Sequence, residues 1–199
     1  MKKYSLTKTT KECFGITLFQ IKAEISFGNV SKGELGGYIE KEENLSQEGN
    51  AWVSGDARVF GDAMVYDNAR VSGYAMVYDN ARVSGYARVF GDAMVSGDAR
   101  VSGYAMVSGD AMVYDNARVS GYARVSGYAR VSGKLKLLAG FFFGYRYKKE
   151  EIKYVKVDDD TELIYKGEAK FGDSKDDEVA NAIKLLEVRG KLKDGKILI

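Results

Sequence analysis

The chain contains no histidine and no proline, one cysteine and one tryptophan, and none of its threonines falls between residues 51 and 134. Without histidine, a Ser–His or Cys–His nucleophile pair is excluded. A transition metal would be left with carboxylates and a single thiol, a poor donor set for zinc. The lone Cys13 cannot close an internal disulfide, which argues against a disulfide-stapled secreted fold; it is expected as a small buried apolar residue. The absence of proline leaves nothing to interrupt a ladder of backbone hydrogen bonds. A flat Thr-x-Thr face of the kind that binds ice is missing from 51–134. No apolar run approaches the ~20 residues of a bilayer span, and none follows Lys2 and Lys3 as a signal peptide requires. The expected location is therefore the cytoplasm of the cell that makes the protein. Net charge is only +2. Such a balance gives no global field toward nucleic acid or membrane, and no continuous acidic surface for a DNA mimic.

What the chain does contain is repetition. Residues 51–134 are fourteen six-residue repeats without insertion, beginning AWVSGD, ARVFGD, AMVYDN, ARVSGY. Each reads Ala-x-Val-x-x-x. Ala and Val are two apart, so on a strand they share one side and the residue between them points the other way. The last three positions draw on Ser, Tyr, Phe, Gly, Asp and Asn, mostly turn formers. One hexad is thus a short strand and a corner, and three hexads close one triangular coil. A hexad cannot bury its apolar side alone, so the period predicts a parallel β-helix held together by neighbouring coils.

The pattern reaches beyond the obvious repeats. Counting back in sixes from Ala51 gives Leu45 and Ile39. Counting forward gives Leu135 with Leu137, then Phe141 with Phe143, as inward residues that plug the end. The helix is therefore expected over 39–146, about six coils. Residues 1–38 are read as an N-terminal cap, with a strand-like run over 16–25 and a Gly-rich turn over 33–37. Residues 147–199 are read as a small α+β domain. Its strands are placed at 152–157, 162–165 and 196–199, and its helix at about 175–189. Ser174 and Asp177 form the capping pair, and Asp158, Asp159 and Asp160 a solvated hairpin turn.

The repeat, seen as Val-Ser-Gly-Asp-Ala-Arg, resembles the hexapeptide-repeat left-handed parallel β-helix proteins. The resemblance supplies the handedness, which the period does not. The segment Gly33-Glu34-Leu35-Gly36-Gly37-Tyr38-Ile39-Glu40-Lys41-Glu42-Glu43-Asn44-Leu45-Ser46 is similar to that of small bacterial and phage or prophage proteins of this type. Such proteins are often labelled transferases by analogy of fold alone. Acyltransferases of this fold use a histidine base, and its carbonic anhydrases hold zinc with three histidines. The family's catalytic residues therefore carry over to no position here. No catalytic residue, metal ligand or cofactor is expected. Insertion loops that would build a substrate pocket are also absent from 51–134.

The outward residues sort by threes into faces. One carries Arg82, Arg100 and Arg118, with Tyr86, Tyr104 and Tyr122 at its corner. Arg offers forked donors and Tyr stacking area, so this face is the candidate binding surface. A second carries Met76, Met94 and Met112 with Phe60, Tyr78 and Tyr114 nearby. This face, or the C-terminal domain, is the candidate self-association surface, most simply for a homodimer. A third is mixed: Trp52, Arg70, Arg88, Met106 and Arg124. Two bland readings stand beside these. The segment AMVYDNARVSGY occurs identically at 63–74, 75–86 and 111–122, so duplication scatters features without regard to face, and a run of three on one face can arise by accident. The eight Arg of the repeats are also matched by eight Asp, and pairing across coils would only solubilise the prism.

The function expected from residues and resemblance together is a non-enzymatic binding or scaffold protein of phage or prophage origin. Its partner would be a host protein or protein–nucleic acid complex, with a host defence system among the expected targets of inhibition; direct nucleic-acid binding is open but not favoured, and membrane binding is not expected. The alternative is a degenerate hexapeptide-repeat acyltransferase that binds acyl-CoA.

Overall fold

A computed structural model describes residues 2–144 and, separately, an antiparallel strand pair, Leu192–Lys193 with Lys196–Ile197. Lys196–Ile197 falls within the last strand expected at 196–199, and Leu192–Lys193 is a strand that was not expected. The other elements expected beyond 146 lie outside the described residues.

Each hexad folds as a two-residue strand and a corner. Arg82–Val83 is strand, with Val83 fully buried and Arg82 exposed. It pairs in parallel with Arg100–Val101, three hexads on, and that strand with Arg118–Val119. The Arg82 N–H donates to the Ala99 carbonyl and the Ser84 N–H to the Val101 carbonyl, each at 2.9 Å. Three parallel sheets result, and the chain passes from one to the next at every corner. The protein is a β-solenoid of about six turns. The only helix among the described residues is the single 3-10 turn Glu42–Asn44.

Every repeat Ala and Val from Ala51 to Val125 is fully buried. Each Val removed from water contributes roughly 1.5–3 kcal/mol before chain entropy is counted. Glycine at the fifth position of most hexads takes a positive φ, +64° at Gly85, which lets the chain turn the corner. In the AMVYDN copies Asp stands there instead. Asp67, Asp79 and Asp115 hold φ near +60°. Each offsets this strain by accepting the N–H of the corner glycine one coil on, at 3.0–3.1 Å.

The N-terminal residues extend one sheet of the solenoid. Strand β1 (Tyr4–Cys13) pairs antiparallel with β2 (Ile16–Ala23), and β2 with β3 (Leu35–Ile39). β3 then pairs in parallel with Arg58–Val59, which joins the hairpin to the coils. Two details differ from the sequence expectation. β1 was not expected, because YSLTKTTKEC has little apolar alternation. The glycines over 33–37 were expected as a turn; Gly33 does turn, with φ +89°, but Gly36 and Gly37 lie within β3. A Cβ on Gly36 would come within 2.5 Å of Ile21 Cγ1, and one on Gly37 within 2.6 Å of the Ala57 carbonyl. These glycines serve close packing rather than turning.

Trp52 points away from the prism yet is buried. Phe27 and Tyr4 meet its ring edge-on, at centroid distances of 5.5 and 6.4 Å. The N-terminal segment thus covers the flank of the first coil.

The far end corrects the expected register. Leu137 is buried and Leu135 partly so, as expected. Phe141 and Phe143, however, are exposed, and Phe142 packs against the core. Phe142 pairs with Val125 and Phe141 with Arg124. That step is one residue shorter than the coils above it, and the Arg124 N–H bonds the Gly140 carbonyl where earlier coils use alanine. A one-residue slip turns every side chain to the opposite side.

Candidate functional site

The register places the outward residues in the expected columns. Arg82, Arg100 and Arg118 are cross-strand neighbours, and Lys136 follows Arg118. All four are exposed. On the adjacent sheet Trp52, Arg70, Arg88, Met106 and Arg124 form a second column. The corner between these sheets carries Tyr86, Tyr104 and Tyr122. Their rings stack at centroid distances of 5.0 and 5.3 Å, with planes within 4°. The tyrosines therefore form a ridge with cations on both flanks. Sorting the hexads by face alone assigned the tyrosines to the Arg82 face and missed Arg88 and Arg124 across the corner; sorting by corner recovers them.

The acidic residues are elsewhere. Of the eight Asp in the repeats, only Asp67 occupies a corner on the tyrosine edge. Asp56, Asp92 and Asp110 lie on a second corner, and Asp62, Asp79, Asp98 and Asp115 on the third. Near-neutral composition thus hides a segregated charge distribution. The expected Arg–Asp pairing does not form on this edge. Among the described residues no carboxylate comes within ion-pair distance of Arg82, Arg88, Arg100 or Arg118. The ion pairs present there are Lys2–Glu42, Lys11–Asp56 and Lys41–Asp62, all involving the N-terminal segment.

Within the second column, Arg70 titrates below the usual guanidinium range, first because it is partly buried and next because Arg88 lies one coil away. Arg124 at the lower end sits over the Phe141 ring, 5.1 Å from its centroid. Like charges one coil apart repel by roughly 1 kcal/mol in water, a cost that no ion pair offsets at Arg82, Arg88, Arg100 or Arg118.

The methionine column is equally regular. Met76, Met94 and Met112 are cross-strand neighbours and half-buried, with Arg58 above and Arg130 below. Beside them Phe60 and Tyr78 stack at 5.1 Å and 5°, and Phe14 joins the top at 6.2 Å. Tyr114 stands two coils below Tyr78, and Ser96 occupies the level between. A notch of about 390 Å³ opens there.

Cys13 is buried beside Phe60 and Leu18, as expected of an apolar residue, with the Arg58 guanidinium 3.8 Å from its sulfur. No helix among the described residues is long and apolar enough to cross a membrane.

The repeat region matches the family model of the YdcK beta solenoid repeat, over residues 63–78, 75–89, 87–103, 105–121 and 111–127. No curated protein matches the chain. The matched segments include Tyr86 and Tyr122 of the tyrosine ridge and Met76, Met94 and Met112 of the methionine column.

Proposed function

We propose that this β-solenoid protein is a non-enzymatic binding protein whose Tyr86–Tyr104–Tyr122 ridge docks the anionic surface of a macromolecular partner. The observation that carries this reading is the segregation of charge. Two columns of cations flank the ridge, most of them without a carboxylate in reach, while seven of the eight repeat aspartates occupy the other corners. An anionic partner relieves the repulsion within each column and gains forked donors at a repeat of about 4.8 Å. The stacked rings hold the ridge straight and offer hydroxyls along it.

The resemblance supports the finer parts of the proposal: a left-handed coil, a phage or prophage origin, and a host protein or protein–nucleic acid complex in the bacterial cytoplasm as partner. Action against a host defence system belongs to the same proposal. Self-association through Met76, Tyr78, Met94, Met112 and Tyr114 would leave the tyrosine ridge open, since the two surfaces lie on different edges of the prism.

The test is capture of partners from bacterial lysate by the tagged chain. Wild type should retain a partner at low salt and release it as salt rises, since exposed charge contacts are screened within ~8 Å at physiological ionic strength. The variant carrying Arg100→Ala and Tyr104→Ala should lose it while keeping a cooperative melt. Equal capture by that variant would remove the ridge from the function. Saturable heat on titration with acetyl-CoA would instead favour a transferase.

A further inference from the structure

We propose that the notch between Tyr78 and Tyr114 is a binding site for one planar aromatic ring, carried by a small cationic ligand. The site is independent of the tyrosine ridge and lies on a different edge of the prism, on the face proposed for self-association, with which a ligand there would compete. Its basis is an interrupted stack. Wherever, among the described residues, aromatic residues occupy the same position in successive coils, their rings lie face to face at 5.0–5.3 Å. The column Phe60, Tyr78, Ser96, Tyr114 follows this rule for its first step and then omits one rung.

The strands beside the gap keep unbroken register, Met76 to Met94 to Met112, so Tyr78 and Tyr114 are two coil steps apart. Two steps are about 10 Å. A ring midway would lie about 5 Å from each tyrosine, the spacing the protein adopts in its own stacks. Serine leaves that level unfilled, and the resulting space of about 390 Å³ falls within the range of small-molecule sites. Met94 and Met112 line the notch beside the gap. Thioethers favour the edges of aromatic rings and adapt to their shape.

The charge of the lining selects among aromatic ligands. Asp79 and Asp115 stand at the rim with Arg130, two carboxylates against one guanidinium. Each carboxylate gives one oxygen, Oδ2, to a corner N–H, of Gly97 and Gly133 respectively. Its second oxygen is left for a donor on the ligand. A ring bearing an ammonium group therefore fits better than one bearing a carboxylate.

The probe is tryptamine, with indole-3-acetate as its anionic counterpart, titrated into the full chain by calorimetry. Wild type should bind tryptamine saturably and more tightly than indole-3-acetate. Ser96→Tyr fills the missing rung from within. It should weaken tryptamine at least tenfold and raise the melting temperature, because the stack then runs unbroken from Phe60 to Tyr114. Tyr114→Ala removes one wall and should weaken tryptamine by a similar factor without raising the melting temperature. Absence of saturable binding to wild type, undiminished binding by Ser96→Tyr or by Tyr114→Ala, a lower melting temperature for Ser96→Tyr, or tighter binding of indole-3-acetate would each overturn the proposal.

Discussion

Tyr104 lies face to face with Tyr86, ring centroids 5.0 Å apart and planes within 4° of parallel. The backbone imposes this contact. The Tyr86 N–H donates to the Gly103 carbonyl at 2.8 Å, and so fixes the two side chains one coil apart. Tyr122 repeats the relationship below. The ridge therefore has a stabilising role apart from any partner.

Replacing Tyr104 by Ala removes the middle ring and both of its stacking contacts. The ring is about half exposed, so the loss should be about 1–2 kcal/mol rather than the cost of a core aromatic. Urea denaturation measures it. A double-mutant cycle with Tyr122→Ala should show favourable coupling between the two; strict additivity would mean that the rings touch without stabilising one another.

Gly85→Ala should be more costly than its exposure suggests. The position has φ +64°, and an added Cβ would lie 2.9 Å from the Gly103 nitrogen in the next coil. Left-handed strain alone costs about 1–2 kcal/mol, and the close approach adds to it. The expected loss in chemical denaturation is about 2–3 kcal/mol, toward the upper end for a single substitution. A loss below about 0.5 kcal/mol, the size of an ordinary surface substitution, would show that the corner relaxes freely.

Asp79 permits a contrast at one site. Asp79→Ala keeps the positive φ and loses the bond to the Gly97 N–H, and should cost about 1–2 kcal/mol. Asp79→Gly loses the same bond but relieves the strain, and should fall near wild type. If the two variants melt together, the hydrogen bond accounts for the whole effect of the aspartate and the backbone strain for none.

Much of this was legible in the sequence, for a physical reason. A six-residue period with Ala and Val two apart admits one side to a core and closes a coil every three hexads. That arithmetic sets the columns Arg82–Arg100–Arg118 and Met76–Met94–Met112 from the sequence alone. What failed was what the arithmetic does not govern. The shortened corner after Leu137 reversed the parity of Phe141, Phe142 and Phe143, and a single missing residue leaves no mark on composition. Gly36 and Gly37 read as turn formers because their need is steric and comes from Ile21 and Ala57, distant in sequence. The notch at Ser96 was invisible for a third reason: a gap is defined by the rings above and below it, each a full coil away along the chain.

The last prediction concerns two adjacent residues, Lys3 and Tyr4, whose burial acts on stability with opposite sign. The Lys3 ammonium donates to the Glu48 and Ala51 carbonyls at 3.2 and 3.1 Å and lies over the Phe27 ring. Burial pushes its pKa down to about 8. In the unfolded chain it titrates near 10.4. Between those values the unfolded chain holds more protons, so stability rises with pH. The Tyr4 hydroxyl shares its one proton between the Glu42 and Leu45 carbonyls, 2.8 and 2.6 Å away. Burial first, then the charges of Glu42 and Glu43, raise its pKa above the ordinary phenol value. Above about pH 10 the unfolded chain therefore loses this proton while the folded one keeps it, and stability falls. The urea midpoint should climb from pH 8, pass through a maximum near pH 10 and then decline. Lys3→Met should flatten the climb and leave the decline; Tyr4→Phe should keep the climb and soften the decline. A wild-type midpoint that only falls from pH 8 upward, in parallel with Lys3→Met, would mean that the Lys3 charge is not desolvated in the folded chain.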